Sequence, residues 1–141
     1  MQKRLNSEVE TIEFAEEFAS ELNPGDVVAL SGELGAGKSV FSRAVMRALG
    51  VLDEALPSPT YTIIQEYEGR DCRIAHMDWY RLEGEDDLQA IGVREYFHAP
   101  WICLIEWPER APSILGPNVY RVSMQCMDGD PDLRLLEIQR R

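Results

Sequence analysis

The chain has 141 residues, enough for one domain with a buried core, and its 45% hydrophobic and 28% charged content is the balance of a globular protein. Its net charge of −11 comes from 14 basic and 25 acidic residues. With Lys and Arg scattered rather than striped, that balance argues against independent binding of RNA or DNA. No apolar run approaches the roughly 18 residues of a membrane helix, so no membrane association is expected. The opening "MQKRLNSEVE" lacks the apolar core of a secretory signal. Cys72, Cys103 and Cys126 are widely spaced with no CxxC, and two lie in apolar runs. They read as buried thiols of a reducing, cytoplasmic compartment rather than as disulfides or zinc ligands.

"SEVETIEFAEEFASELNPGD" predicts an amphipathic helix. Ser7 and Glu10 form a capping box, Ile12, Ala15, Phe18/Ala19 and Leu22 recur at helical spacing, and "NPG" ends the run. "DVVALS" is a short β-branched segment suited to a central strand. A Gly-rich loop follows, and then Phe41, Ala44/Val45 and Ala48/Leu49 mark a second amphipathic helix stopped by Gly50. "LPSPTY" is a loop stiffened by two prolines. "YTIIQEY" and "CRIAHMDWY", joined by "EGRD", predict an antiparallel hairpin. "EGEDDLQAIGVREYF" should hold one or two short helices. "WICLIE" suits a strand buried on both faces. "NVYRVSMQCM" and "DLRLLEIQ" predict a second hairpin across "DGDP". The whole reads as α/β with a mixed sheet, without repeats or linkers.

Gly32-Glu33-Leu34-Gly35-Ala36-Gly37-Lys38-Ser39 fits G-x-x-x-x-G-K-[ST] between a strand and a helix. Small residues let successive backbone N–H groups surround phosphate oxygens, and the following helix adds the positive end of its dipole. Lys38 would reach the β- and γ-phosphates as a point charge, and the Ser39 hydroxyl would ligate Mg²⁺. The pattern points to ATP or GTP and says nothing of the reaction.

A phosphate loop works with an acid at the end of a neighbouring strand. Glu106 ends "WICLIE" where an open α/β sheet faces its ligand crevice, and Pro108 stops regular pairing beyond it. It reads as the second metal carboxylate, against the plainer reading of a glutamate closing a strand. In "HMDWYRL", His76 and Asp78 share a side-chain direction in an extended chain. Asp78 either holds a metal-bound or attacking water or serves as a turn residue. His76 reads first as a structural imidazole. "SPTYT", with Ser58, Pro59 and Thr60, is either a loop that senses the γ-phosphate or an ordinary proline turn.

"GELGAGKS", "SPTY", "HMDWYRL", "LQAIGVREY" and "LIEWPER" occur in this order in a compact chain. Together they resemble the TsaE family, also called YjeE, small bacterial ATPases of tRNA threonylcarbamoyladenosine synthesis. The likeness runs from "SEVETIEFAEEFA" to "LRLLEI", and "HMDWYRL" with "IEWPER" is its most specific part. It implies a P-loop NTPase-like three-layer fold with a mixed parallel and antiparallel sheet, residues 1–141 forming one domain, and ATP with Mg²⁺ as cofactors. The implied partners are TsaD, which carries the transfer chemistry, and TsaB. The tRNA would be met only through that complex, and ATP hydrolysis would reset the pair between turnovers.

By position, the resemblance assigns nucleotide contacts to Glu33 through Val40 and metal contacts to Ser39 and Glu106. It assigns hydrolysis to Lys38 and Asp78. It also implies that Thr11, in the first helix, and Arg134, ahead of the last strand, lie near the adenine. Trp107, beside the metal acid, would report nucleotide binding as a switch-like residue along with Ser58, Pro59 and Thr60. The family loop is usually G-D-L-G-A-G-K-T-T. Here Glu33 and Ser39 are mild changes, whereas Val40 removes a hydroxyl that could meet the α-phosphate. Two other readings stand beside this one. A small-molecule or nucleoside kinase would use the same loop, although only about 100 residues follow it and no arginine-rich lid is evident. The other is a nucleotide-gated binding module that scarcely hydrolyses.

Overall fold

Three facts of sequence order determine the layout: a helix before the first apolar strand, a helix after it, and two hairpins. In a computed structural model, which describes residues 1–33, 35–53, 56 and 63–140, these become β1 (Gln2–Leu5), α1 (Glu8–Ala19), β2 (Val27–Ser31), α2 (Lys38–Ala48), β3 (Ile64–Glu68), β4 (Arg73–Asp78), α3 (Glu85–Ala90), β5 (Trp101–Glu106), β6 (Tyr120–Met127) and β7 (Asp130–Arg140). Short 3₁₀ turns at Val93–Phe97, Pro108–Arg110 and Pro112–Ile114 fill the connections.

The strands of the described residues form one sheet in the order β1-β7-β6-β2-β5-β4-β3. Its centre is parallel, because β2 pairs in parallel with β5 and β6, and β4 with β5. Both predicted hairpins are present as antiparallel pairs, β3 with β4 and β6 with β7. The first lies at one edge and the second fills the other side of β2. Helices α1 and α2 cover one face over a core containing Phe14, Phe18, Phe41, Val45, Leu30 and Leu104. The other face is covered by α3 and the 3₁₀ turns, through Leu88, Val93, Ala111 and Ile114 on Met77, Trp79 and Ile105. The three-layer mixed fold expected from the sequence is the fold observed. Residues 102–106 of β5 are all buried, as expected for a central strand flanked on both sides.

Strand β1 was not legible beforehand. Gln2, Lys3 and Arg4 are exposed and only Leu5 is buried, so no apolar alternation announces a strand. Pairing with β7 at the sheet edge supplies the stabilisation instead, and charged side chains suit an edge. The capping box also differs from its expected form. Ser7 Oγ accepts from the Glu10 amide at 3.2 Å, but the Glu10 carboxylate reaches back to the Asn6 amide at 3.2 Å rather than to Ser7. Of the three thiols only Cys103 is buried, while Cys72 and Cys126 are half-buried; all are free.

Gly50 ends α2 in a left-handed conformation with φ of 98°. A Cβ there would lie 2.8 Å from the Arg70 amide nitrogen, whose own hydrogen bond runs to the Leu49 carbonyl at 2.8 Å. Glycine is therefore required twice, by φ and by space. Gly50→Ala is expected to destabilise the protein by about 1–3 kcal/mol, read as a lower denaturant midpoint at unchanged slope. Gly116→Ala, where no atom lies within 4 Å and φ is ordinary, should leave the midpoint unmoved.

Candidate functional site

The phosphate loop leaves β2 after Ser31 and enters α2 at Lys38. Gly32, Gly35 and Gly37 all have positive φ, at 153°, 82° and 100°. At Gly32 an added Cβ would run into the Met124 carbonyl oxygen, and at Gly37 it would lie 3.2 Å from Met124 Cε. The glycines therefore serve both the turn and a close approach to β6. Gly37 is the N-cap of α2 and, as a glycine, supplies no side-chain cap to that helix. A helix start behind a left-handed glycine loop fits an anion such as a phosphate. Ala36 is fully buried, while Glu33 and Gly35 are exposed and Ser39 and Val40 are half-buried.

Lys38 is only 5% exposed. Its Nζ donates to the Gly32 carbonyl at 2.6 Å and sits 3.5 Å from the centroid of the Trp107 ring. Burial pulls the ammonium below its ordinary value of 10.5, opposed by the charges of Glu106, then Glu109, then Asp78. A buried cation held by a carbonyl and an indole face can exchange these neutral contacts for a phosphate.

The acids reach the loop through strand register. Parallel pairing aligns Leu30 of β2 with Glu106 of β5, and Glu106 with Asp78 of β4. The carboxyl ends of three adjacent strands thus present the loop and two acids side by side, on the crevice side of an open sheet. Glu106 is 3% exposed, and its Oε2 lies 2.7 Å from His76 Nε2. Asp78 Oδ1 accepts from the Tyr80 amide at 2.9 Å. Its turn role and its place beside Glu106 are both real, so the two readings left open by the sequence are compatible. Burial raises the Asp78 pKa above its ordinary 3.8. The Tyr80 amide opposes this, Glu106 reinforces it, and His76 and Lys38 oppose it.

Glu109, two residues beyond Trp107, is an acid in the field of Lys38 that the sequence reading passed over. It lies in the 3₁₀ turn Pro108–Arg110, and nothing in its local pattern distinguishes it from a surface glutamate. Trp107 has φ of 60° and ψ of 49°, a left-handed conformation that is rare for a non-glycine residue and is followed here by a proline. That backbone aims the indole over Lys38 and brings its centroid 4.8 Å from the Tyr80 ring. Arg110 Cζ lies 5.4 Å from the Tyr80 centroid. Two rings, Trp107 and Tyr80, thus lie between the cations Lys38 and Arg110, a layer that no local pattern announced.

The remaining assigned residues divide. Arg134 lies within β7 rather than ahead of it, because pairing with β6 extends the last strand back to Asp130. Its Nη2 donates to the Gly35 carbonyl at 3.3 Å, and Cys126 Sγ approaches the same oxygen at 3.8 Å. Thr11 is not on the helix surface: it is 3% exposed, with its hydroxyl on the Ser7 carbonyl at 3.3 Å. Leu5, two residues before the Ser7 cap of α1, is paired with Arg134. Leu34, Ser58, Pro59 and Thr60 lie outside the described residues. Among the described residues no group of three His, Cys, Asp or Glu is set to hold a metal.

The fold and the loop define an α/β protein of the P-loop nucleotide-binding class. A model of the family described as "Threonylcarbamoyl adenosine biosynthesis protein TsaE" matches residues 5–134. The chain is 36% identical over 129 residues to the tRNA threonylcarbamoyladenosine biosynthesis protein TsaE of Rickettsia typhi, covering 92% of this chain and 89% of that one. Identity to the Bacillus subtilis protein of the same name is 43% over 98 residues, 70% of this chain and 60% of the relative. The crystal structure of Bacillus subtilis YdiB superposes with a TM-score of 0.77 at 31% identity, covering 96% of this chain and 82% of that one. The chain belongs to the TsaE family. Among the described residues no helix is long and apolar enough to cross a membrane.

The raised Asp78 pKa has a consequence for stability. A folded-state pKa above the unfolded one favours the folded protein below the unfolded value, and that advantage is lost as pH rises through the folded value. Ionised Asp78 is thus a net burden near neutrality. Asp78→Asn, which keeps an oxygen for the Tyr80 amide, is expected to raise the melting temperature at pH 7. The gain should vanish as pH falls below the ordinary 3.8. Melting curves across this range test it.

Proposed function

We propose that this chain is the ATP-binding and ATP-hydrolysing subunit of a tRNA N6-threonylcarbamoyladenosine system. In this reading it acts on a TsaB–TsaD pair and resets it, and does not transfer the group itself. The convergence of the phosphate loop, Lys38, Glu106 and Asp78 at the ends of β2, β5 and β4 is the observation that carries the hydrolytic part. Family membership and the names of the relatives support the pathway. The net charge of −11 supports contact with tRNA through partners rather than directly. A cytoplasmic location follows from the same role.

The amides at the start of α2 and the Lys38 ammonium would bind the triphosphate, with Lys38 leaving the Gly32 carbonyl. Glu33, Leu34, Gly35, Ala36, Gly37 and Val40 would line it, and Thr11 and Arg134 would flank the base. Ser39 and Glu106 would hold magnesium, which when bound neutralises charge on the β- and γ-phosphate oxygens. Asp78 would orient the attacking water. Its raised pKa suits a group that takes up a proton late. Ser58, Pro59, Thr60 and Trp107 would carry the nucleotide state outward. The chain is expected to be slow alone and to be completed by a partner that excludes water.

Phosphate release by the purified chain should be weak and rise sharply when TsaB and TsaD are added. Release unaffected by both would overturn the subunit role, and a phosphorylated small molecule among the products would favour a kinase. Lys38→Ala should lower the stimulated rate by at least about 100-fold, because the lost ammonium faces charge that builds on the β–γ bridge. A rate near that of the unmodified chain would remove Lys38 from the mechanism.

A further inference from the structure

His76 is 1% exposed and Glu106 3%, and their side chains meet at 2.7 Å on adjacent parallel strands. With Glu106 ionised, the hydrogen bond requires Nε2 to carry the proton, so the imidazole donates and the carboxylate accepts. The register explains the meeting. His76 is aligned with Leu104, two residues before Glu106, and all three side chains share one face of the sheet. The ring therefore reaches along the strand direction to the carboxylate. The other ring nitrogen, Nδ1, is buried and has no hydrogen-bond partner. An imidazole built only to satisfy a polar interior would be expected to have both nitrogens engaged. Here the one bond it makes is to the acid at the end of β5.

We propose that His76 is a positioning residue for the metal carboxylate. By holding Glu106 Oε2 it fixes the carboxylate rotamer, and it leaves Oε1 as the oxygen that meets the cation or its waters. Free Glu106 would have to be ordered on each binding event, whereas the His76 bond orders it in advance. The inference rests on the reading of Glu106 as a metal acid, and the experiment separates the two.

The pair of variants that isolates the bond is His76→Gln and His76→Asn. The glutamine amide reaches about as far as Nε2 and can donate to Glu106. The asparagine amide ends near the Nδ1 position and falls short. The probe is Mn²⁺, titrated by electron paramagnetic resonance in the presence of saturating ADP, with ADP affinity measured separately in EDTA. His76→Asn should weaken Mn²⁺ binding by about 10- to 100-fold. His76→Gln should stay within about threefold of the unmodified chain, and ADP affinity in EDTA should not change in either. In the Glu106→Gln background, adding His76→Asn should produce no further loss.

Equal Mn²⁺ affinity in His76→Asn and the unmodified chain overturns the proposal. So does equal weakening in both His76 variants, a matching fall in metal-free ADP affinity, or an additive loss in the double variant. Glu106→Gln with unaltered Mn²⁺ affinity sinks the metal reading of Glu106 itself. A weakened Glu106→Gln beside an unaffected His76→Asn sinks only the role of His76. The unmodified chain supplies an independent check, because it has only two histidines. Bound Mn²⁺·ADP should broaden the His76 ring protons and leave exposed His98 sharp, and a sharp His76 signal overturns the proposal without any substitution.

Discussion

The parallel pairing of β2, β5 and β4 is the constraint on which the site depends. Once Leu30, Glu106 and Asp78 are level across three strands, the loop that follows β2 must open beside two acids. A shift of one residue in β5 would turn Glu106 to the opposite face, onto the layer built from Met77, Trp79 and Ile105. The apolar residues of β5 prevent that slip. Ile102 and Leu104 belong to the core under α1 and α2, and Cys103 and Ile105 to the core on the other side. Two cores thus hold one carboxylate in position.

This arrangement places charge where charge is costly. Thr11, Lys38, Ser42, His76 and Glu106 are the buried polar residues among those described, and Lys38, His76 and Glu106 among them gather where the loop meets the acids. Lys38 and Asp78 are both shifted toward their neutral forms by burial, so their charges oppose the rest of the fold. Local devices limit that burden. His76 partners Glu106, the Gly32 carbonyl and the Trp107 ring hold Lys38, and the Tyr80 amide binds Asp78. An incoming triphosphate would replace the contacts of Lys38 with stronger ones, while the His76–Glu106 bond would persist. Ligand binding and stability should therefore be tightly linked.

Support for the loop comes from the side of the sheet away from the acids. Met124 of β6 limits Gly32 and Gly37, and Arg134 and Cys126 reach the Gly35 carbonyl. The β6–β7 hairpin is thus more than an edge to the sheet, since it presses the glycine loop against β2. The edge strand β1, paired to β7 with Leu5 opposite Arg134, ties the start of α1 to the same region.

Local order along the chain was enough to specify both main helices, the central strands, both hairpins and the phosphate loop. Each depends on spacing within a few residues: helical recurrence in Ile12, Ala15 and Phe18, the run ending at Glu106, and the glycines before Lys38. Strand β1 escaped because its stabilisation comes from β7, more than a hundred residues away in sequence, and not from a pattern of its own. The same reason hid the site's interior. That His76 serves Glu106 and that Trp107 lies on Lys38 follow from strand register and one left-handed backbone turn. The extension of β7 past Arg134 follows from its pairing with β6. Spacing along a chain records which groups are available, whereas only packing between distant segments decides which of them meet.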